Sequence, residues 1–370
     1  MSLAQTYISG LIDKDTTWSA AGNPYVVTGN TAVDEGIVLH IEPGVIIRFD
    51  STYCFFIDGT LKAEGNATDS IFFTSNRPDP QAGDWLGIKF RIKSLGNPNT
   101  LSYCHLSFAE HAIEVDGSSP DISNCLIENN QSGIYCRWNE GYPVITDCLI
   151  RYNSIHGIYL KAYPINVQSL TYNTILNNGE NGLYCFNLWA DVKQNEISGN
   201  GTGIWLDEYS NQDYIEFHYN CIYDNEWNFK LFDVLDKDAT FNWWGSTDPV
   251  IISGSIYDFY DDFELGKLDF EPFTNVPYSY CSFATGINEP GKTEKVFTVF
   301  PNPSQGIIRI KGAKPNSLII VYNTFGAEAY RLRVSGEGTK EIDLSHLAVG
   351  VYLLTIQTAR SMHTEKVVLQ

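Results

Sequence analysis

The chain has 370 residues, with 24 Lys and Arg against 44 Asp and Glu, a formal charge of −20 at pH 7. That balance excludes nucleic acid as a partner, because no phosphate backbone would be neutralised, and it disfavours an anionic membrane surface. A hydrophobic fraction of 43% with 14% aromatic excludes wholesale disorder, and the length suits two domains or one repeat array with a smaller unit.

The charge is unevenly spread. Residues 296–370 carry 8 Lys and Arg against 5 Asp and Glu, whereas residues 1–295 carry 16 against 39. Two units with different jobs are expected. The opening Met1-Ser2-Leu3-Ala4-Gln5 has neither a basic segment nor an apolar run, so no signal peptide is read there. No stretch approaches the 18 or so apolar residues that span a bilayer. Eight cysteines are too sparse for a disulfide scaffold, and none shows the Cys-x-x-Cys spacing of a zinc ribbon.

In chain order, strand-like segments come first. Leu39–Phe49 contains Ile41-Glu42-Pro43-Gly44-Val45, and Phe56–Gly65, Ile71–Ser75 and Trp85–Phe90 follow. From residue 104 a pattern recurs every 21–25 residues. Its first column is Cys104, Cys125, Cys148, Asn173, Asn195 and Asn220. Its second is Leu106, Ile127, Ile150, Ile175, Ile197 and Ile222. Its third is Asn130, Asn153, Asn178, Asn200 and Asn225. The fourth is Gly133-Ile134, Gly157-Ile158, Gly182-Leu183, Gly203-Ile204 and the degenerate Asn228-Phe229. This period predicts a coil of short parallel strands, each turn burying its apolar face on the next. The Asn columns are expected at bends, in the left-handed conformation that Asn tolerates, with stacked amides bonded to one another. The glycines are expected where the backbone turns sharply. The exit is Asn242-Trp243-Trp244-Gly245, then Asp248-Pro249. Periodicity ends at residues 276–295, which read as a linker. After it, Pro301-Asn302-Pro303, the alternating Ile308-Arg309-Ile310, Leu318–Tyr322, Ile342-Asp343-Leu344 and Gly350–Leu354 predict a small immunoglobulin-like β-sandwich over 296–370.

These residues carry two resemblances. Residues 4–275, with the Ile41–Val45 entry and the Asn242–Gly245 exit, resemble the exported right-handed parallel β-helix proteins of the pectate-lyase-like superfamily. The resemblance is specific for an all-β solenoid and weak for activity. Residues 296–370, with Pro301-Asn302-Pro303, the Gly350-Val351-Tyr352 element and Lys366 near the end, resemble the C-terminal sorting domain of type IX secretion cargo. That resemblance implies contact with outer-membrane secretion machinery, passage through the periplasm and a secreted or cell-surface destination. A leader is then expected to have been replaced by Met1-Ser2-Leu3. The other reading of this unit is an appendage that binds a neighbour. Despite an oxidising destination, Cys104, Cys125 and Cys148 fall in one inward column, and Cys136 and Cys185 share another. Stacked thiols facing one way suit packing, so buried thiols are expected rather than disulfides.

In the strand after each Gly, side chains alternate. Ile134, Ile158, Leu183, Ile204 and Phe229 are predicted inward. Glu114, Tyr135, Tyr159, Tyr184, Trp205 and Lys230 are predicted outward, followed by Asp116, Arg137, Lys161, Phe186, Asp207 and Phe232. Tyr135, Tyr159, Tyr184 and Trp205 with Asp207 form either a platform for sugar rings or a ladder that only stabilises the sheet. Glu114, Asp116, Arg137 and Lys161 form either an acid–base cluster for a polysaccharide lyase or glycosidase, or a solvated charge ladder. His105, His111, His156 and His218 show no metal-ligand spacing and read as surface or packing residues. Asp258, Asp261 and Asp262, among aromatics, either supply oxygens to Ca²⁺ or point outward while Tyr257, Phe259, Tyr260 and Phe263 fold over the last turn. No other cofactor is expected. Sequons at Asn130 and Asn200 lie on the Asn column and read as structure. Three functions stay open: an exported protein binding glycan or another extracellular partner through its flank, a polysaccharide-cleaving enzyme, and a structural adhesin or spacer.

Overall fold

The computed structural model describes residues 5–137, 143–161, 168–186, 190–207, 215–281, 298–312, 317–323, 328–334, 336, 338–357 and 362–370. The chain forms two compact units, residues 1–286 and 287–370.

The first unit is a right-handed parallel β-solenoid of about nine turns, as expected. Each regular turn contributes a strand to each of three sheets. The first sheet has nine strands, from Thr16–Trp18 to Ile215–His218. The second runs through Cys104–Ser107, Leu126–Glu128, Leu149–Arg151, Thr174–Leu176, Glu196–Ser198 and Cys221–Tyr223. The third runs through His111–Asp116, Ser132–Arg137, His156–Lys161, Asn181–Phe186, Thr202–Asp207 and Trp227–Phe232. Upstream, the long strands Thr6–Ile12 and Tyr25–Val33 serve both of these sheets, Tyr25–Val27 pairing with the second and Thr31–Val33 with the third.

The register keeps like above like. Leu106, Ile127, Ile150, Ile175, Ile197 and Ile222 form one fully buried column; Ile113, Ile134, Ile158, Leu183, Ile204 and Phe229 form another. Burying each such side chain contributes about 1.5–3 kcal/mol. Near the upstream end Trp18 stacks on Tyr25 at 5.0 Å, and Phe49 on Trp85 at 4.0 Å.

The corners correct two expectations. The left-handed residue is the one before the ladder position: Asn129, Tyr152, Asn177 and Asp224 at one corner, and Tyr103, Asn124, Asp147, Tyr172, Gln194, Tyr219 and Phe241 at the other. The ladder asparagines themselves point inward. Asn195 shows the pattern. Its backbone N–H donates to Asn220 Oδ1 at 2.9 Å and its Nδ2 donates to the same oxygen at 3.1 Å. That Nδ2 also donates to the carbonyls of Leu170 and Lys193. Asn173, Asn195, Asn220 and Asn242 form one such chain, and Asn130, Asn153, Asn178, Asn200 and Asn225 another. In the same column, Cys125 Sγ donates to the carbonyls of Leu101 and Ser123, so a thiol takes the place of the amide donor.

The file glycines serve close approach rather than a sharp turn. A Cβ on Gly157 would lie 2.6 Å from the Gly182 carbonyl oxygen and 2.8 Å from Asn178 Nδ2. Their φ is not positive.

The downstream end is closed by Trp244, Ile252, Ile256 and Leu268, all buried. Asp248 caps the short helix Pro249–Ser253 by accepting from the Val250 N–H at 2.9 Å. The expected aromatic lid is corrected here: Tyr260 and Phe263 are exposed, because the helix and Leu268 already fill the end of the column. Residues 276–281, read as linker, instead lie along a corner of the solenoid. Tyr278 donates to the Phe241 carbonyl at 2.6 Å, Tyr280 donates to that of Tyr219, and Cys281 bonds to Cys221. This disulfide departs from the expectation of buried thiols, which rested on the inward Cys104, Cys125, Cys148, Cys136 and Cys185; its halves are 60 positions apart in the chain. The six other cysteines are free and buried. Residues 282–295 of the expected linker lie outside the described residues.

The second unit has a three-stranded and a four-stranded antiparallel sheet around a shared core that includes Ile308, Ile310, Ile319, Val321, Leu354, Ile356 and Val367. Among the described residues no helix is long and apolar enough to cross a membrane.

Two outcomes are expected in thermal and denaturant unfolding. Asn195→Ala leaves inward donors and acceptors of neighbouring turns unmatched and costs about 3 kcal/mol, whereas the adjacent Gln194→Gly, at φ 58°, leaves stability unchanged or slightly raised. Cys281→Ser opens a covalent loop spanning 60 residues and costs about 4 kcal/mol on chain-entropy grounds.

Candidate functional site

The third sheet carries the candidate site, and its outward columns fall as expected. Paired residues run Lys89, Glu114, Tyr135, Tyr159, Tyr184, Trp205, Lys230 and Tyr257 across successive strands. The rings of Tyr135 and Tyr159 lie 4.4 Å apart at 8°, and those of Tyr159 and Tyr184 lie 4.7 Å apart at 8°. His111 stacks on Tyr135 at 4.2 Å. Trp205 continues to Phe232 at 4.5 Å, and Phe232 to Tyr257 at 5.5 Å. The rings therefore turn their faces to one another and present edges and hydroxyls outward, an orientation set by the turn spacing of the sheet.

A second outward column holds Asp116, Arg137, Lys161, Phe186, Asp207 and Phe232. Asp207 accepts a hydrogen bond from the Tyr184 hydroxyl at 3.2 Å. Lys161 lies over the Phe186 ring at 4.6 Å and Arg137 over Tyr135 at 5.1 Å. A third column, immediately before the glycines, brings in His111, Ser132, His156, Asn181 and Thr202. Asn181 Nδ2 lies 3.2 Å from His156 Nδ1.

The four acid–base candidates divide. Glu114, Asp116 and Arg137 come together around Lys89, whose ammonium lies 3.0 Å from Glu114 and 3.2 Å from Asp116; Arg137 Nε lies 3.7 Å from Glu114. Lys161 belongs with Phe186 instead. Burial lowers the Lys89 pKa, but the hydrogen bonds and charges of Glu114 and Asp116 outweigh it and hold it above the usual value. The cluster is thus a set of cross-strand ion pairs.

Burial governs the rest of the face. It pushes the His156 imidazole down to about 4, helped by the charge of His111, and it lowers His111 as well. It raises Tyr159 to about 12 and also raises Tyr184, where Asp207 adds to it. Burial raises Asp207 too, against the opposing Tyr184 hydrogen bond and Lys161 charge. At neutral pH His111 and His156 are therefore uncharged, and Tyr159 and Tyr184 keep their phenol protons.

Sequence reasoning missed Lys89 and Asn181, and it read His111 and His156 only as surface or packing residues. A signal was present: His111, His156 and Asn181 occupy the position before Ala112, Gly157 and Gly182 in aligned strands. A separate group lies on the second sheet. Glu128 is held below the usual carboxylate range by the nearby His105 imidazole and then by the Arg151 hydrogen bond, their nitrogens lying 3.2 and 2.9 Å from its carboxylate.

At the downstream end, Asp258 is buried and accepts from the Tyr260 and Leu268 backbone N–H groups. Asp261 accepts from the Asp258 N–H and Asp262 from that of Glu264. These carboxylates build turns. Among the described residues no group of three or more His, Cys, Asp or Glu is placed to hold a metal ion.

Comparison with known proteins agrees with this architecture. The family described as right handed beta helix region matches residues 86–222, and the pectate-lyase like beta helix domain matches residues 10–111. The secretion system C-terminal sorting domain matches residues 298–370. No curated protein matches the chain. Among solved structures, full-length tailspike protein 2 from Escherichia coli O157:H7 bacteriophage CAB120 is similar at 12% identity and a TM-score of 0.35. The match covers 100% of this chain and 58% of that one.

The depressed imidazole has a checkable sign. Because folded His156 binds a proton only near pH 4, the unfolded state binds more protons between about 6.5 and 4, and stability falls as pH falls through that window. An NMR titration is expected to place His156 near 4 in the folded protein, and a midpoint near 6.5 would contradict the burial described here.

Proposed function

We propose that this chain, a right-handed parallel β-helix ending in a secretion-system sorting domain, is an exported protein that binds an extracellular glycan along its third sheet. Its sorting domain implies interaction with the type IX secretion machinery and export to the cell surface or the medium.

One observation carries the carbohydrate reading. Tyr135, Tyr159, Tyr184 and Trp205 stand on four successive turns as one file, each partly exposed. Because Tyr135, Tyr159 and Tyr184 stack face to face, sugar recognition here uses ring edges and hydroxyls rather than stacking on open faces. Asp207 meets the Tyr184 hydroxyl, and the imidazoles of His111 and His156 lie beside the Tyr135 and Tyr159 rings and supply further polar groups. A linear glycan lying along the solenoid axis would meet a fresh phenol about every 4.8 Å. The Glu114, Asp116 and Arg137 charges at the upstream end are already paired, which leaves the middle of the row suited to hydroxyl-rich ligands.

Affinity electrophoresis in gels cast with a panel of polysaccharides tests this. Tyr159→Phe keeps the stack and loses one hydroxyl, and it is expected to weaken retention about fivefold, the worth of one neutral hydrogen bond. The Tyr184→Ala, Trp205→Ala double variant is expected to abolish retention. Equal migration of all three proteins in every gel would contradict the proposal.

A further inference from the structure

The stacking loosens at the downstream end of the row. Tyr184 and Trp205 lie 6.1 Å apart, against 4.4 and 4.7 Å for the two Tyr–Tyr steps. At this step the indole N–H of Trp205 is buried and meets no acceptor. A buried donor without a partner is costly, and such a group calls for a ligand or an ordered water.

Beside it stands Lys230, paired in register with Trp205. Its ammonium lies 5.4 Å from the Trp205 ring centre and 5.4 Å from that of Trp227. The cations upstream differ. Lys89 holds Glu114 and Asp116, Arg91 holds Asp58, and Arg137 faces Glu114. Lys230 has no ion pair with any carboxylate among the described residues. Asp207, two residues along from Trp205, is engaged by the Tyr184 hydroxyl. Among the described residues, a buried indole N–H without an acceptor and an ammonium without a carboxylate thus fall on neighbouring strands, and the aromatic rings beside the ammonium exclude part of its water and strengthen its pull on an anion.

We propose that Trp205, Lys230 and Trp227 form a subsite for an anionic group, a carboxylate or a sulfate, carried by the bound glycan. The proposal rests on reading the aromatic row as a carbohydrate face. Lys230 contacts the anion, with the Trp205 and Trp227 rings on either side of its ammonium. The solenoid is strongly acidic, so a sparsely charged glycan fits better than a polyanion.

The full chain is titrated with sodium sulfate and with sodium glucuronate, glucose being the uncharged control and NaCl keeping ionic strength constant, while tryptophan fluorescence is read. A saturable response to at least one anion is expected, absent with glucose and absent in Trp205→Phe. Its dissociation constant rises at least tenfold in Lys230→Gln and is largely restored in Lys230→Arg. Which anion responds separates sulfate from carboxylate. Circular dichroism confirms that each variant keeps its fold. No saturable response beyond the NaCl control, or an unchanged response in Lys230→Gln, overturns the subsite. If polysaccharide retention still depends on Tyr159 and Tyr184 in that case, the carbohydrate face stands and only the subsite falls. An anion response without any polysaccharide retention overturns the assignment to a glycan.

Discussion

The structure depends on the matching of polar groups at the two inward corners of each turn. At these corners the backbone turns out of one sheet into the next, and its N–H and C=O groups leave the ladder. Burying them unmatched would cost more than the neighbouring Ile and Leu columns return. The amide of a single Asn solves this. It has one acceptor and two donors, and each ladder Asn after the first of its chain receives both the backbone and the side chain of the Asn one turn before, while Asn130 and Asn173 accept the backbone N–H groups of Ala109 and Cys148. The chains of Asn130–Asn225 and Asn173–Asn242 are therefore continuous across turns, and they fix the register of everything outside them. They also explain the tolerance for Tyr152, Tyr172, Tyr219 and Phe241 at positive φ, where bulky residues are disfavoured.

The flank inherits its order from this constraint. A slip of one residue would move every third-sheet side chain to the opposite face. Held in register, Tyr135 stacks on Tyr159 at 4.4 Å and Tyr159 on Tyr184 at 4.7 Å, and Lys89 meets acids from the next strand. The glycine file belongs to the same device. Gly133, Gly157, Gly182 and Gly203 let the carbonyl of the next turn and the ladder amide approach where any side chain would collide. The polar interior and the aromatic exterior are two sides of one registration mechanism.

Much of this was legible in the sequence because the repeat is strict. The Ile columns and the Tyr–Trp file follow from a 21–25-residue period and from alternation within strands. The left-handed corner was read one residue late. Asn129-Asn130 and Asn177-Asn178 put the same residue type at both positions, so composition could not separate the strained residue from the bonded one. Columns can be read from spacing, but ring orientation cannot, so the mutual stacking of the tyrosines emerged only from coordinates. Lys89 sits in a strand before the clear repeats begin. The Cys221–Cys281 bridge joins a repeat position to a segment without periodicity, which leaves no pattern to find.

The central claim is that the amide ladders lock the register on which the flank is built. Native-state hydrogen exchange by NMR measures it directly at the backbone amides of Asn153, Asn178, Asn195 and Asn220, each of which donates to an Asn one turn on. They are expected to be among the slowest in the solenoid and to exchange only through global unfolding, together with Ile175 and Ile197 at the core. Exchange of these amides well ahead of those core strands, with the strands still protected, would mean that the corners open freely and that the ladders do not hold the register.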